Sequence, residues 1–184
     1  IKALSATQVG ALTSTNVAGL ATSQISALSV AQVQAFNTSA VGALTTSMVN
    51  AMSAAQVGAL TTSQVQSLST STVSGISTAN VQALTSTQVG VLTTAAVSKL
   101  STAQVAAFTA KQVGALSTAS VVAMSTDQVK ALTSAQVQGL TNAGLNAMTT
   151  AQVAALTTTQ VSSLTGTQVA GLSTGTLQSL STTQ

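Results

Sequence analysis

The chain contains no cysteine, histidine, tryptophan, tyrosine or proline, and among 184 residues only one acid, Asp127. Each absence removes a class of chemistry. General acid–base catalysis needs a titratable side chain beside the reacting group, most often His or a carboxylate. Asp127 is the one carboxylate, and no second acid or His is there to share its work. Metal sites need several His, Cys or carboxylate ligands, which this composition cannot assemble. Ser and Thr abound, but a hydroxyl nucleophile needs a base to activate it. The only bases are four dispersed lysines, Lys2, Lys99, Lys111 and Lys130. The reading is therefore of a protein that is not an enzyme, with no catalytic, metal-binding or cofactor-binding residue.

The net charge of +3 and the pI of about 10.0 arise from an almost uncharged chain, not from a basic patch. Nucleic-acid binding needs clustered cations and, for single strands, aromatic platforms. Four scattered lysines and two phenylalanines supply neither, so no nucleic-acid partner is expected. Apolar residues make up 45% of the chain, as in a globular domain, while charged residues are only 3%. The apolar residues never run on for the roughly 20 positions of a spanning helix, so no membrane insertion is expected.

The residues that are present repeat every eight positions without a slip, giving 23 units over residues 1–184. Counted from its large apolar residue, a unit reads Leu-(Ser/Thr)-x-x-Gln-Val-x-Ala, as in Leu100 to Ala107. We number these positions one to eight. Positions one and six are apolar in all 23 units, position two is Ser or Thr in 21, and position eight is small in 21. Position five is Gln in 14 units, and the 12 glycines fall at no single position. No unit carries the polar outer face of a terminal cap. The expectation is one uninterrupted array, a window of a longer one.

The unit matches a helix start. A Ser or Thr at the N-cap with Gln three residues on forms a capping box, and apolar residues flanking it form a hydrophobic staple. This makes Ser101, Thr109, Ser117 and Thr133 N-caps, and Leu100, Val105, Phe108, Val113 and Leu116 core. Eight residues advance a helix by about 800°, so the apolar stripe of one straight helix would wander around it. The expected fold is all-α: short capped helices, one per repeat, coiled into a superhelical solenoid in which the small residue at position eight allows close approach. The alternative is a β-solenoid with two octapeptides per coil, favoured by the Thr and Val content. Against it, positions one and six lie at odd intervals, which in a strand point to opposite faces.

The string Leu84-Thr85-Ser86-Thr87-Gln88-Val89 resembles the tandem octapeptide tracts of large bacterial surface proteins and adhesins. That resemblance covers the whole chain and implies a fibre or stalk at the cell surface or outside the cell. The same string is similar to the first helix of transcription-activator-like effector repeats. Their second helix and base-reading loop have no counterpart here, so their function does not carry over.

The expected function is structural: an extracellular fibre or the stalk of an adhesin, partnered by neighbouring copies of its own repeat. With so little charge, attached glycans are one way to wet the surface, and Thr94, Thr118, Thr150 and Thr158 are the O-glycosylation candidates. Asn37-Thr38-Ser39 is the one N-glycosylation sequon. The β-solenoid alternative would instead present Thr and Ser ladders to ice or a carbohydrate surface. Far-UV circular dichroism separates the two folds. The capped-helix array should give a double minimum, and a single β-type minimum would exclude it.

Overall fold

The computed structural model describes residues 1–184 and is entirely helical, with no strand. Twenty-two helices, from α1 (Ala6–Gly10) to α22 (Thr174–Gln178), follow one another at one per repeat. The expected all-α superhelical solenoid is what forms, and the β-solenoid with its hydroxyl ladders is not. The local reason lies at position two, where the hydroxyl is spent on capping a helix rather than displayed in a row.

One repeat shows how the sequence writes the geometry. Ser101 is extended (φ −70°, ψ 159°) and its Oγ accepts the amide of Gln104 at 3.2 Å. The Gln104 Oε1 accepts the Ser101 amide at 2.7 Å, closing the capping box. Helix α13 (Thr102–Ala107) then runs six residues, and Val105 N–H donates to Ser101 O at 3.0 Å. It ends when Phe108 N–H donates to Val105 O at 3.2 Å, a tight i−3 closure. Phe108 itself is extended (φ −61°, ψ 147°), and Thr109 beside it is the next N-cap (φ −75°, ψ 159°).

The whole connection is thus two extended residues, the apolar one and its hydroxyl neighbour. Many helices end on a left-handed residue, usually glycine. Here no residue has positive φ and no peptide bond is cis. This turn needs neither Gly nor Pro, and glycine keeps no fixed place in the unit.

Helices of five or six residues do not persist alone in water. Packing supplies what propensity cannot. From α1 to α20 each helix lies against a helix three repeats away, as α13 does against α10 (Thr78–Ala83) and α16 (Thr126–Lys130). Side-chain hydrogen bonds join it to helices four repeats away, described below. A superhelical turn therefore holds between three and four repeats, and each turn stacks on the last.

Position six lies at the centre of this coil. From Val9 to Val153 its side chains are no more than 3% exposed, and with position one and the position-five residues Ala40, Met48 and Ala96 they make a single core of 38 buried residues. The accessible surface is 7920 Å². A compact globule of 17.9 kDa exposes about 8,000 Å². The coil is thus a solid column and not an open ribbon. No helix is long and apolar enough to cross a membrane.

Close approach occurs at position eight, as expected, and also at position seven. A Cβ on Gly90 would sit 2.9 Å from Ala115 O, and one on Gly58 would sit 3.1 Å from Ala83 O, in each case 25 residues on. Five glycines, at 10, 42, 58, 90 and 114, hold position seven and meet a position-eight carbonyl in this way.

Val105 tests the packing, because it is 1% exposed and its carbonyl and side chain both serve the core. Val105→Ala should lower unfolding stability by about 2 kcal/mol, the loss of two methyl groups and the void left behind. Val105→Asp should cost far more, since it buries an unpaired charge. Amide exchange should then accelerate chiefly in α13 and the helices touching it. Uniform loss of protection from α1 to α22 would contradict the nearest-neighbour architecture.

Candidate functional site

The joint between turns is built from the glutamine at position five. Its Oε1 completes the capping box of its own helix, which leaves Nε2 facing outward from the helix start. In α13, the Gln104 Nε2 donates to Ile76 O at 2.8 Å and Ser74 O at 3.0 Å, with Val73 O at 3.5 Å. Those carbonyls close the end of α9 (Thr70–Gly75), four repeats earlier. The last carbonyls of a helix have no partner within it. One primary amide thus caps the start of one helix and the end of another.

The pattern recurs through the column. Gln112 Nε2 reaches Leu84 O at 2.6 Å and Val81 O at 2.9 Å, and Gln136 Nε2 reaches Phe108 O at 2.6 Å and Val105 O at 2.9 Å. Two N–H groups serve two or three acceptors, so the shorter bond goes to the position-one carbonyl and the other is shared. Every glutamine at position five with a repeat four before it makes this contact, from Gln32 to Gln184. All of these but the half-buried Gln184 are buried, Gln104 at 4% and Gln136 at 2%, and no buried side-chain polar atom in the protein is left without a partner.

Three places where position five is not Gln have a substitute carboxamide elsewhere. With Ala40 at position five, Asn37 occupies the N-cap in place of Ser or Thr. Its Oδ1 accepts Ala40 N–H at 2.8 Å, while its Nδ2 donates to Leu12 O at 2.8 Å and Gly10 O at 3.0 Å. With Asn80 at position five, the Ser77 amide is taken by Asn50 Oδ1 at 2.7 Å, and Asn50 Nδ2 donates to Gly75 O. With Thr176 there, Asn146 does the same for Ser173 N–H at 2.8 Å and Gly171 O at 2.8 Å. In both cases the Asn stands 30 residues before the altered position. A pairwise search at that spacing would have revealed it from sequence.

The residues singled out from sequence lie as follows. Ser101, Thr109, Ser117 and Thr133 each occupy an N-cap, with the side-chain oxygen accepting from the amide three residues on. Leu100, Val105, Phe108, Val113 and Leu116 are all buried, between 1% and 7% exposed. Thr94, Thr118, Thr150 and Thr158 are exposed and each is the first residue of a helix. Asn37, the sequon residue, has the very Nδ2 that an N-glycan would require already committed to two carbonyls. The octapeptide pattern assigns position five to the capping box alone; the outward end of the glutamine becomes visible only in the coil.

Elsewhere the surface is chemically plain. Asp127 and all four lysines are exposed, no pocket indents the column, and no group of three or more His, Cys, Asp or Glu comes together.

Fold and joint together define an all-α superhelical repeat protein, a coil of short helices clasped turn to turn by glutamine. The family model described as ALTTAQ repeat matches residues 17–52, 41–70, 91–118, 113–142 and 138–166, together 130 of the 184 residues. The chain belongs to this ALTTAQ repeat family, and Ala131 to Gln136 reads Ala-Leu-Thr-Ser-Ala-Gln along positions eight to five. No curated protein and no solved structure matches it.

The clasp needs a side chain that donates at one end and accepts at the other. Gln104→Glu keeps the acceptor but turns a carboxylate toward three carbonyls, and should cost at least about 2 kcal/mol at pH 7. Gln104→Leu, which removes both ends and the buried polar group, should cost less. Facing carbonyl oxygens, the introduced carboxyl has a folded-state pKa raised above its unfolded value of about 4.3. The variant's stability is therefore recovered below that value and lost as pH rises through the raised one. Denaturant melts of both variants from pH 3 to 8 measure this. A pH-independent deficit in Gln104→Glu would show that Nε2 does not act as a donor.

Proposed function

We propose that the array makes length: it is a structural fibre or the stalk of a bacterial surface adhesin, placed outside the cell or at its surface. The observation that carries this reading is the recurrence of one packing pattern along the column. Helices three repeats apart touch along the column, glutamine clasps tie most repeats to the repeat four before, and one continuous core runs through them. Adding a repeat therefore adds a fixed increment of column without altering the repeats already present, the behaviour of a quasi-one-dimensional solid. A solid coil also gives up reach per residue in exchange for stiffness, which suits a spacer that holds what it carries at a set distance.

The proposal extends to what the column does not do. It is not an enzyme, binds no nucleic acid and does not insert in a membrane. Its partners are neighbouring copies of the same repeat, and its exposed threonines, among them Thr94, Thr118, Thr150 and Thr158, accept O-linked glycans. Their hydroxyls stand on the outer surface and form no hydrogen bond that a glycan would break, which favours this modification over one at Asn37.

Two measurements test the reading. Arrays of graded repeat number, examined by small-angle scattering, should grow in length in proportion to repeat count at constant cross-section. Immunogold labelling on the source cells should place the array outside the envelope. A cross-section that thickens with repeat number, or label confined to the cell interior, would sink it. Intact mass of native material decides the glycans, with added hexose expected and the bare mass of the chain counting against them.

A further inference from the structure

A second, longer period is written into position five. From residue 48 to residue 144 every third repeat departs from glutamine: Met48, Thr72, Ala96, Ser120 and Gly144. Of the ten repeats between Met48 and Gln168 outside this series, nine carry Gln and one carries Asn80. Because helices three repeats apart touch, this 24-residue period is gathered into one place. The five repeats are α6 (Thr46–Asn50), α9, α12 (Thr94–Lys99), α15 (Thr118–Val122) and α18 (Asn142–Ala147), and each is in contact with the next. They form one unbroken row of helices along the column.

The starts of these helices lack the clasp to the turn below, although the ends of α9, α12 and α15 are still clasped by Gln104, Gln128 and Gln152. Thr72 keeps one bond to the turn below, Oγ1 to Leu44 O at 3.0 Å, beside its contact with Ser69 Oγ, and Ser120 Oγ is held by Ser117 Oγ at its own helix start. Met48, Ala96 and Gly144 have no side chain capable of reaching back. The N-cap amides of Thr93, Ser117 and Thr141 accordingly have no carboxamide acceptor, whereas those of Ser101, Thr109, Ser125 and Thr133 each donate to a glutamine Oε1 at 2.7 Å. Sideways bonds replace the clasp only at the two ends of the row. Asn50 Nδ2 donates to Gly75 O at 3.1 Å between α6 and α9, and Asn146 Nδ2 to Gly171 O at 2.8 Å between α18 and α21 (Gly166–Ala170). Between the starts of α12, α15 and α18 and the ends of α8 (Thr62–Ser67), α11 (Ser86–Gly90) and α14 (Ala110–Gly114), four repeats earlier, packing alone closes the joint.

We infer that this row is a seam, the line along which the coil yields first when it is bent or pulled. In the remaining two rows almost every helix start carries a glutamine clasp, so strain concentrates at the one joint, between the starts of this row and the turn below, where those bonds are absent. The column is then stiff in most directions and compliant along one. The inference is independent of any stalk function, since it concerns the coil's own mechanics.

Residue-resolved amide exchange on the full chain tests it directly. Thr93, Ser117 and Thr141 should exchange faster than Ser101, Thr109, Ser125 and Thr133 by about five-fold or more, the factor expected for one missing hydrogen bond. In low denaturant, the helical amides of α12 and α15 should open before those of α13 and α16. Installing the clasp in the triple variant Ala96→Gln, Ser120→Gln, Gly144→Gln should slow the three amides to the level of their neighbours and raise Tm. Equal protection of the two sets in the unaltered chain, or simultaneous opening of all four helices, overturns the seam even where the triple variant fails to fold. A folded triple variant with unchanged exchange overturns it as well.

Discussion

A primary amide has a donor at one end and an acceptor at the other, and the structure depends on placing that one group between two helices. A helix leaves unpaired N–H groups at its start and unpaired carbonyls at its end. Gln104 gives Oε1 to the first kind, in its own helix, and Nε2 to the second, in α9. A carboxylate offers only acceptors and an ammonium only donors, so no charged residue of this length does both. The same side chain thereby fixes the local start of each helix and its position on the turn below. Helices of five or six residues have no stability to spare, and it is this coupling that makes local structure and superhelix form together.

The apolar positions complete the constraint. Large side chains at positions one and six are separated by five and then three residues, with two extended residues between successive helices. That spacing turns every Val and Leu to the same axis, and the result is one core where an unbroken helix or strand would have scattered them. It also explains how a chain with 3% charge sustains a defined shape. Its specificity comes from carboxamides meeting backbone carbonyls, and not from ion pairs.

The exceptions in the repeat follow the same physics. Asn37 stands at a hydroxyl position because Ala40 has no amide to offer, and its shorter side chain starts nearer the carbonyls of Gly10 and Leu12. Asn50 and Asn146 supply the acceptor that Asn80 and Thr176 are too short to give. These substitutions look like drift within a single octapeptide. They make sense only once the residue 30 positions away is known to be a neighbour. The same is true of the series from Met48 to Gly144, which is scattered in the linear chain and contiguous along the column.

The octapeptide by itself determined where each helix begins, that helices and not strands form, and which apolar residues are buried, because capping and staple contacts join residues within five positions of one another. Ser101, Gln104 and Val105 needed no information from outside their own unit. Only the tertiary structure decided how many repeats make a turn, and hence what glutamine Nε2, Gly90 and Asn50 are for. Their partners lie 25 to 31 residues away. That distance is set by how two extended residues redirect each helix, a geometry that accumulates over three to four repeats and leaves no mark in any one of them.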